Sequence, residues 1–364
     1  MLVSFHESYL LIVELCALLC MLTMAYSLYE HLTRGIHSRK QGRRAESLRE
    51  LLNTYAESQG EEQRKKYKQF SHMLNKPEGV LALTAALDEI GWDDSGQMTP
   101  VTRRALCQLL TEKYIRVYQK DEEAVQGMLI ALLARCDASS SRLKQSLLKN
   151  LEAKNLLVRI ETLRYISAQR DRKLVLRALE CIHRQPQYFS NKLLTDTLIE
   201  FRGNREALMQ DLWANRAAYS QDIQISIIQT IAVLRDASFA EQIFALAEDQ
   251  QADKETRLAA LKYFQSVSKP EYVEAFAQFL TDLTWEYGAV AANVLRNYDC
   301  TGVFEQLLAG CASRNWYVRN NCAKTLVECC SEEQIEQAMH AEDRYSRDSI
   351  RYVRRTKERE VQMA

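Results

Sequence analysis

From Val125 to Leu326 one arrangement of apolar positions returns seven times, and few folds can satisfy it. With Val318 as register zero, the pattern recurs at Tyr287, Thr256, Ile223, Leu193, Val158 and Val125, at intervals of 31, 31, 33, 30, 35 and 33 residues. The segments VQGMLIALL, VRIETLRYI, LLTDTLIEF, IQISIIQTI, TRLAALKYF, YGAVAANVL and VRNNCAKTL each place an apolar or small residue at their fifth, sixth and ninth positions. In the last of them Val318, Cys322, Ala323 and Leu326 follow the i, i+4, i+5, i+8 spacing of one helical face. Three residues before each zero point stand Glu122, Asn155, Ser190, Ser220, Asp253, Thr284 and Asn315. All but the first are types whose side-chain oxygens cap the free N–H groups of a first helical turn. Self-similarity at this period marks a solenoid, in which a unit too small to bury its apolar face alone stacks on its neighbours.

Between these segments lie other amphipathic runs, such as Val303, Phe304, Leu307, Leu308 and Cys311, or Val273, Phe276, Ala277 and Leu280, so each unit is a helix pair. Eleven glycines and four prolines in 364 residues are too few for a loop-rich β fold. The expected class is all-α, an α-solenoid of stacked helix pairs. The motif V-R-x-x-A-A-x-x-L stands nearly intact from Val318 and Arg319 to Leu326, and recognisably at Val158-Arg159 and Thr256-Arg257. It resembles the motif of HEAT-repeat, armadillo-type proteins in their short variety of about thirty residues. Leu194, Gln224 and Gly288 replace the arginine in three units, which argues against a continuous arginine ladder. The likeness covers Glu122 to Asp343, and less clearly Pro77 to Asp121. It implies a curved right-handed superhelix whose second helices line the concave side. Arg159, Arg257 and Arg319, regularly placed beside the caps, are expected to bridge turns between repeats.

The first part of the chain reads differently. Tyr9 to Tyr29 is a run of 21 residues with Glu14 as its one charge. As a helix it would span about 31 Å, enough for the hydrocarbon core of a bilayer. No Lys or Arg precedes it, while Arg34, Arg39, Lys40, Arg43 and Arg44 follow, so the positive-inside rule puts the N-terminus outside and the bulk of the chain in the cytoplasm. A cleavable signal peptide would need a basic n-region, which is missing. Two readings of Glu14 stay open: it snorkels to the outer interface, or it makes an intramembrane contact with a polar group on a second transmembrane helix. Leu48, Leu51, Leu52 and Tyr55 form an amphipathic face suited to the membrane surface or to the next domain. The expected organisation is an extracytoplasmic stretch 1–8, a transmembrane helix 9–29, a charged helical linker 30–76, a solenoid 77–343 and a basic C-terminal cap or tail 344–364. That last segment has seven basic and three acidic residues, 7 − 3 = +4.

Chemistry is harder to find. Lys+Arg and Asp+Glu both total 48, which leaves no net field to draw in nucleic acid. The familiar phosphate-loop, dinucleotide, zincin, hydrolase and EF-hand motifs are absent. The histidines at 6, 31, 37, 72, 183 and 340 stand apart from one another, and the ten cysteines form no C-x-x-C pair, so no metal, cofactor or disulfide framework is expected. Glu161, Asp196 and Glu200 read as solvated helix positions. HEAT-like proteins include DNA glycosylases, and phycobilin lyases carry similar repeats, so an enzyme or ligand-binding protein of that kind is the alternative; the expectation is that this chain is no enzyme. What remains is surface. The seventh place of the units holds Arg164, Ile199, Gln229, Lys262, Asn293 and Lys324, largely polar, and its polar members with Tyr165, Tyr263, Trp316 and Tyr317 nearby are the nine residues of the candidate partner-binding face. The expected function is a bacterial-type, single-pass membrane scaffold or adaptor whose cytoplasmic solenoid holds another, membrane-associated protein. An envelope glycosyltransferase is one kind of membrane enzyme such an architecture suits; membrane lipid is met through residues 9–29.

Overall fold

The computed structural model describes residues 19, 21–24, 40–55, 57–90, 99–118, 123–186 and 188–363. It is all-helical, with no strand among the described residues. The chain divides into two compact units, Met1–Gln169 and Arg170–Ala364, each taken here by itself.

In the first unit helix α1 (40–55) is followed by α2 (Gly60–Met73), α3 (Pro77–Ile90), α4 (Pro100–Arg116), α5 (Glu123–Arg135), α6 (Ser141–Lys149) and α7 (Leu156–Ala168). The apolar face read from Leu48, Leu51 and Leu52 is buried. Leu51, Leu52 and Tyr55 share a small cavity with Leu106 and Leu109 of α4, so α1 covers the next helices of its own unit. Lys66 of α2 donates to the Thr54 carbonyl of α1 at 3.0 Å. Helices α3, α5 and α7 pack in a row. Among the described residues no helix is long and apolar enough to cross a membrane. The expected span 9–29 lies outside them apart from residue 19 and residues 21–24, which are helical; Glu14 also lies outside them.

The second unit runs α8 (Arg172–His183), α9 (Asn191–Ile199), α10 (Arg205–Ala214), α11 (Gln221–Val233), α12 (Ala240–Glu248), α13 (Lys254–Tyr263), α14 (Val273–Gln278), α15 (Trp285–Leu295), α16 (Phe304–Cys311), α17 (Trp316–Cys329), α18 (Glu332–Met339) and α19 (Arg344–Met363). Each expected zero point lies in a helix, and within this unit α9, α11, α13, α15, α17 and α19 pack each on the next. The described part is thus a row of helix pairs, as a HEAT-like array requires.

Of the expected caps, Asn155, Ser190, Asp253 and Asn315 accept first-turn N–H groups. Ser220 and Thr284 hold the extended cap backbone without the side-chain bond. Glu122 lies outside the described residues. At the end of the chain the interval shortens: Asp343 is the cap, and its carboxylate accepts from the Ser346 backbone at 2.8 Å.

Side chains tie α17 to backbone carbonyls of α15, and the turn after α15 to that after α13. Asn321 donates to Ala289 at 3.0 Å, Thr325 to Ala292 at 2.7 Å, and Asn297 to Gln265 at 3.0 Å. Arg257 and Arg319 differ from expectation in that their hydrogen bonds close the turn inside a pair. Arg257 donates to Ala247 at 3.0 Å, and Arg319 donates to Ser313 at 2.7 Å. Their guanidinium faces then reach the following pair, lying 4.5 Å from the Tyr287 ring and 5.2 Å from the Tyr345 ring. Gly288 replaces arginine where the chain is tight, because a Cβ there would stand 3.0 Å from the Leu280 carbonyl oxygen.

Candidate interaction surface

Helices α15 and α17 each open on a tryptophan, Trp285 and Trp316, directly after the cap. Helices α17 and α19 each carry a tyrosine second, Tyr317 and Tyr345. At a helix start the side chain stands beyond the packed face, and all four rings are exposed, at 40% for Trp285, 58% for Trp316, 56% for Tyr317 and 63% for Tyr345. Three of them are ordered against one another, and Tyr345 lies under the Arg319 guanidinium at 5.2 Å. Trp285 and Tyr317 stack at 5.4 Å with planes 21° apart, and Trp316 meets Tyr317 edge-on at 5.1 Å. Leu283 beside them is fully exposed. A contiguous aromatic patch of this kind leaves large apolar area in water that a partner could cover. Beneath it the Lys254 ammonium and the Glu286 carboxylate hydrogen-bond, which holds the lysine pKa up and the carboxylate pKa down.

The expected face therefore resolves into separate places. Gln229, Lys262 and Tyr263 line one shallow groove of about 360 Å³ with Thr195 and Val233. In it the Gln229 side-chain oxygen accepts from the Thr195 hydroxyl at 3.2 Å. Asn293 and Lys324, both half-buried, continue the same register on α15 and α17. Trp316 and Tyr317 belong instead to the aromatic patch, eight and seven residues before Lys324, which is about 12 Å along a helix. In the first unit Arg164 is exposed and pairs with Glu161 at 2.6 Å. Tyr165 and Tyr263 are corrected: both are fully buried and serve packing, not contact. Burial holds the Tyr263 hydroxyl protonated well above its ordinary range. Trp285 and Tyr345 were missed by the sequence reading, although the 31-residue step from Trp285 to Trp316 was there to be seen.

No family model and no curated protein matches the chain in sequence. Solved structures do match in outline. An engineered protein is 14% identical, with 85% of this chain and 87% of that chain covered at a TM-score of 0.33. Human deoxyhypusine hydroxylase, in complex with glycerol, is 15% identical, with 81% of this chain and 96% of that chain covered at a TM-score of 0.29.

The hydroxylase corrects one expectation. The expectation that the chain is no enzyme is withdrawn, since human deoxyhypusine hydroxylase, an enzyme by name, is among the structures found. At so low a score the likeness transfers no activity, and the fold reading rests on the chain's own helix pairs. Among the described residues no group of three His, Cys, Asp or Glu side chains is placed to hold a metal ion.

Proposed function

We propose that the chain is a membrane-tethered adaptor, with residues 9–29 as the anchor and a HEAT-like array of short repeats that binds a membrane-associated protein. The observation that supports this best is the aromatic patch of Trp285, Trp316, Tyr317 and Tyr345, since large exposed rings on rigid helix starts are typical interface anchors. The anchor contributes by confining the array to a thin layer, which raises its effective concentration for a partner in the same membrane. A membrane enzyme such as an envelope glycosyltransferase fits that geometry.

The test is affinity capture of the full-length protein from gently solubilised membranes, beside Trp285→Ser/Trp316→Ser/Tyr317→Ser and Lys262→Glu/Lys324→Glu variants. The native chain should retain a stoichiometric membrane protein, and the aromatic variant should weaken retention by roughly 30-fold or more, the size of an interface hot spot. Loss with the lysine variant alone would move the contact to the seventh-place stripe. Undiminished capture by both would defeat this choice of surface.

A further inference from the structure

The first unit contains an open groove of about 650 Å³, a volume of the ordinary ligand-site class. One wall is α4, with Arg103, Arg104 and Cys107. The other is the turn from α5 to α6, with Cys136, and the start of α6, with Arg142. Four arginines line the groove against two acidic residues, 4 − 2 = +2. Glu112 is bonded to Arg116 at 2.8 Å, which leaves Asp137 to offset the remaining cations. The groove wall is therefore cationic around a thiol.

That thiol is not alone. Cys107 is half-buried and Cys136 is buried, and both line the groove from its two walls. Neither is in a disulfide. The Cys107 Sγ lies 2.8 Å from the Cys136 carbonyl oxygen, to which its neutral thiol donates. The Cys136 thiol donates to the Leu132 carbonyl at 3.2 Å, and its closeness, with Arg103 beside the pair, draws the Cys107 pKa below its ordinary value against the opposing effects of burial and Asp137. The same pairing and burial push Cys136 up. The groove thus presents one thiol in cationic surroundings that favour its thiolate, with a second thiol on the facing wall.

We propose that Cys107 and Cys136 form a thiol–disulfide exchange site whose groove takes a small disulfide bearing carboxylates. Arginine forks recognise carboxylates, which selects the ligand class. The Cys107 thiolate attacks one sulfur of R–S–S–R. The Cys107–S–S–R bond forms as the ligand S–S bond breaks, and the first R–S⁻ leaves with the electron pair. Cys136 then gives its proton to solvent and attacks the Cys107 sulfur. The Cys107–Cys136 bond forms, the mixed disulfide breaks and the second R–S⁻ leaves. Two protein thiols are oxidised by two electrons, and the small disulfide is reduced to two thiols. The site stands apart from the aromatic patch and does not depend on the adaptor reading.

The test uses the full chain in detergent with two probes, the dicarboxylate disulfide 5,5′-dithiobis(2-nitrobenzoate) and the dicationic disulfide cystamine, followed by mass mapping. Cys107 should react first with the anionic probe. The native chain should release two thiolates per site and end as a Cys107–Cys136 bridge; Cys136→Ser and Cys136→Ala should each release one and keep the adduct on Cys107. Arg104→Glu/Arg142→Glu, both at exposed positions, should reduce the preference for the anionic probe by about tenfold or more. If Cys329, whose thiol is likewise hydrogen-bonded to a neighbour, reacts as fast as Cys107, or no bridge forms, the site is overturned. An unchanged probe preference after charge reversal would overturn the carboxylate assignment.

Discussion

Tyr165 and Tyr263 occupy the same place in their helices, seven residues after Val158 and Thr256, and each sends its hydroxyl to a carbonyl exposed by a turn. Tyr165 donates to Ala138 at 2.6 Å and Tyr263 to Asp236 at 2.8 Å. Each acceptor follows a residue in the left-handed region, Asp137 at φ 50° and Arg235 at φ 52°. The turn leaves a carbonyl without a helical partner, and the tyrosine satisfies it. Tyr263→Phe should therefore lose about 1 kcal/mol of stability, read as a lower melting temperature with unchanged helix content. The sequence put both tyrosines beside a polar stripe because periodicity places a residue on a face but does not say that its tip reaches across to a turn. A sharper signal was available in the recurrence of tyrosine 27 residues after the acceptor. Asp343 acts at the same scale. Its capping bonds to Ser346 lower its pKa, so its contribution is present above the unfolded carboxylate pKa and is lost as pH falls through the folded value. Asp343→Ala should cost about 1 kcal/mol at neutral pH, and the gap between variant and native melting curves should close in acid below the ordinary aspartate pKa of about 3.9.

At the scale of an element, α16 and α17 show how closely a pair can approach. A Cβ built at Gly310 would stand 2.5 Å from the Cys322 Sγ, and Cys322 is fully buried. Gly310→Ala should therefore destabilise by about 1–3 kcal/mol although alanine favours helix, and adding Cys322→Ala should return part of that loss. Urea unfolding of the two single variants and the double variant checks the coupling. The helices themselves were legible because their period of 3.6 and their caps agree, unit after unit. The end of the array was less so. Helix α19 buries Ile350 and Val353 and lies against α17. Arg354 pairs with Glu332 and with Glu336, and Lys357 donates to the Val327 carbonyl at 3.0 Å. Seven basic residues read as a charged tail in the sequence because charge counts do not reveal that some of these side chains are spent on the preceding pair.

Within each of the two units, each second helix meets its neighbours in the row, so cooperativity should be local. Leu326 is fully buried on α17, and Leu326→Ala should cost about 2–5 kcal/mol. Hydrogen exchange should then show protection lost most in α15, α17 and α19 and least in α9; uniform loss across the second unit would contradict local cooperativity. The repeat architecture was open to reading because it is written seven times, whereas the candidate surface is written once. Trp316 and Tyr317 were found within one segment, but Trp285 joins them through stacking between pairs and Tyr345 lies across the Arg319 guanidinium, which no single-segment pattern contains. The ties from Asn321, Thr325 and Asn297 to backbone carbonyls carry a further consequence. A carbonyl is the same whatever residue bears it, so the grip of one pair on the previous one makes little demand on the sequence gripped. Neighbouring pairs are then free to drift apart in composition, and a pair spliced in from elsewhere in the array would still find its handholds.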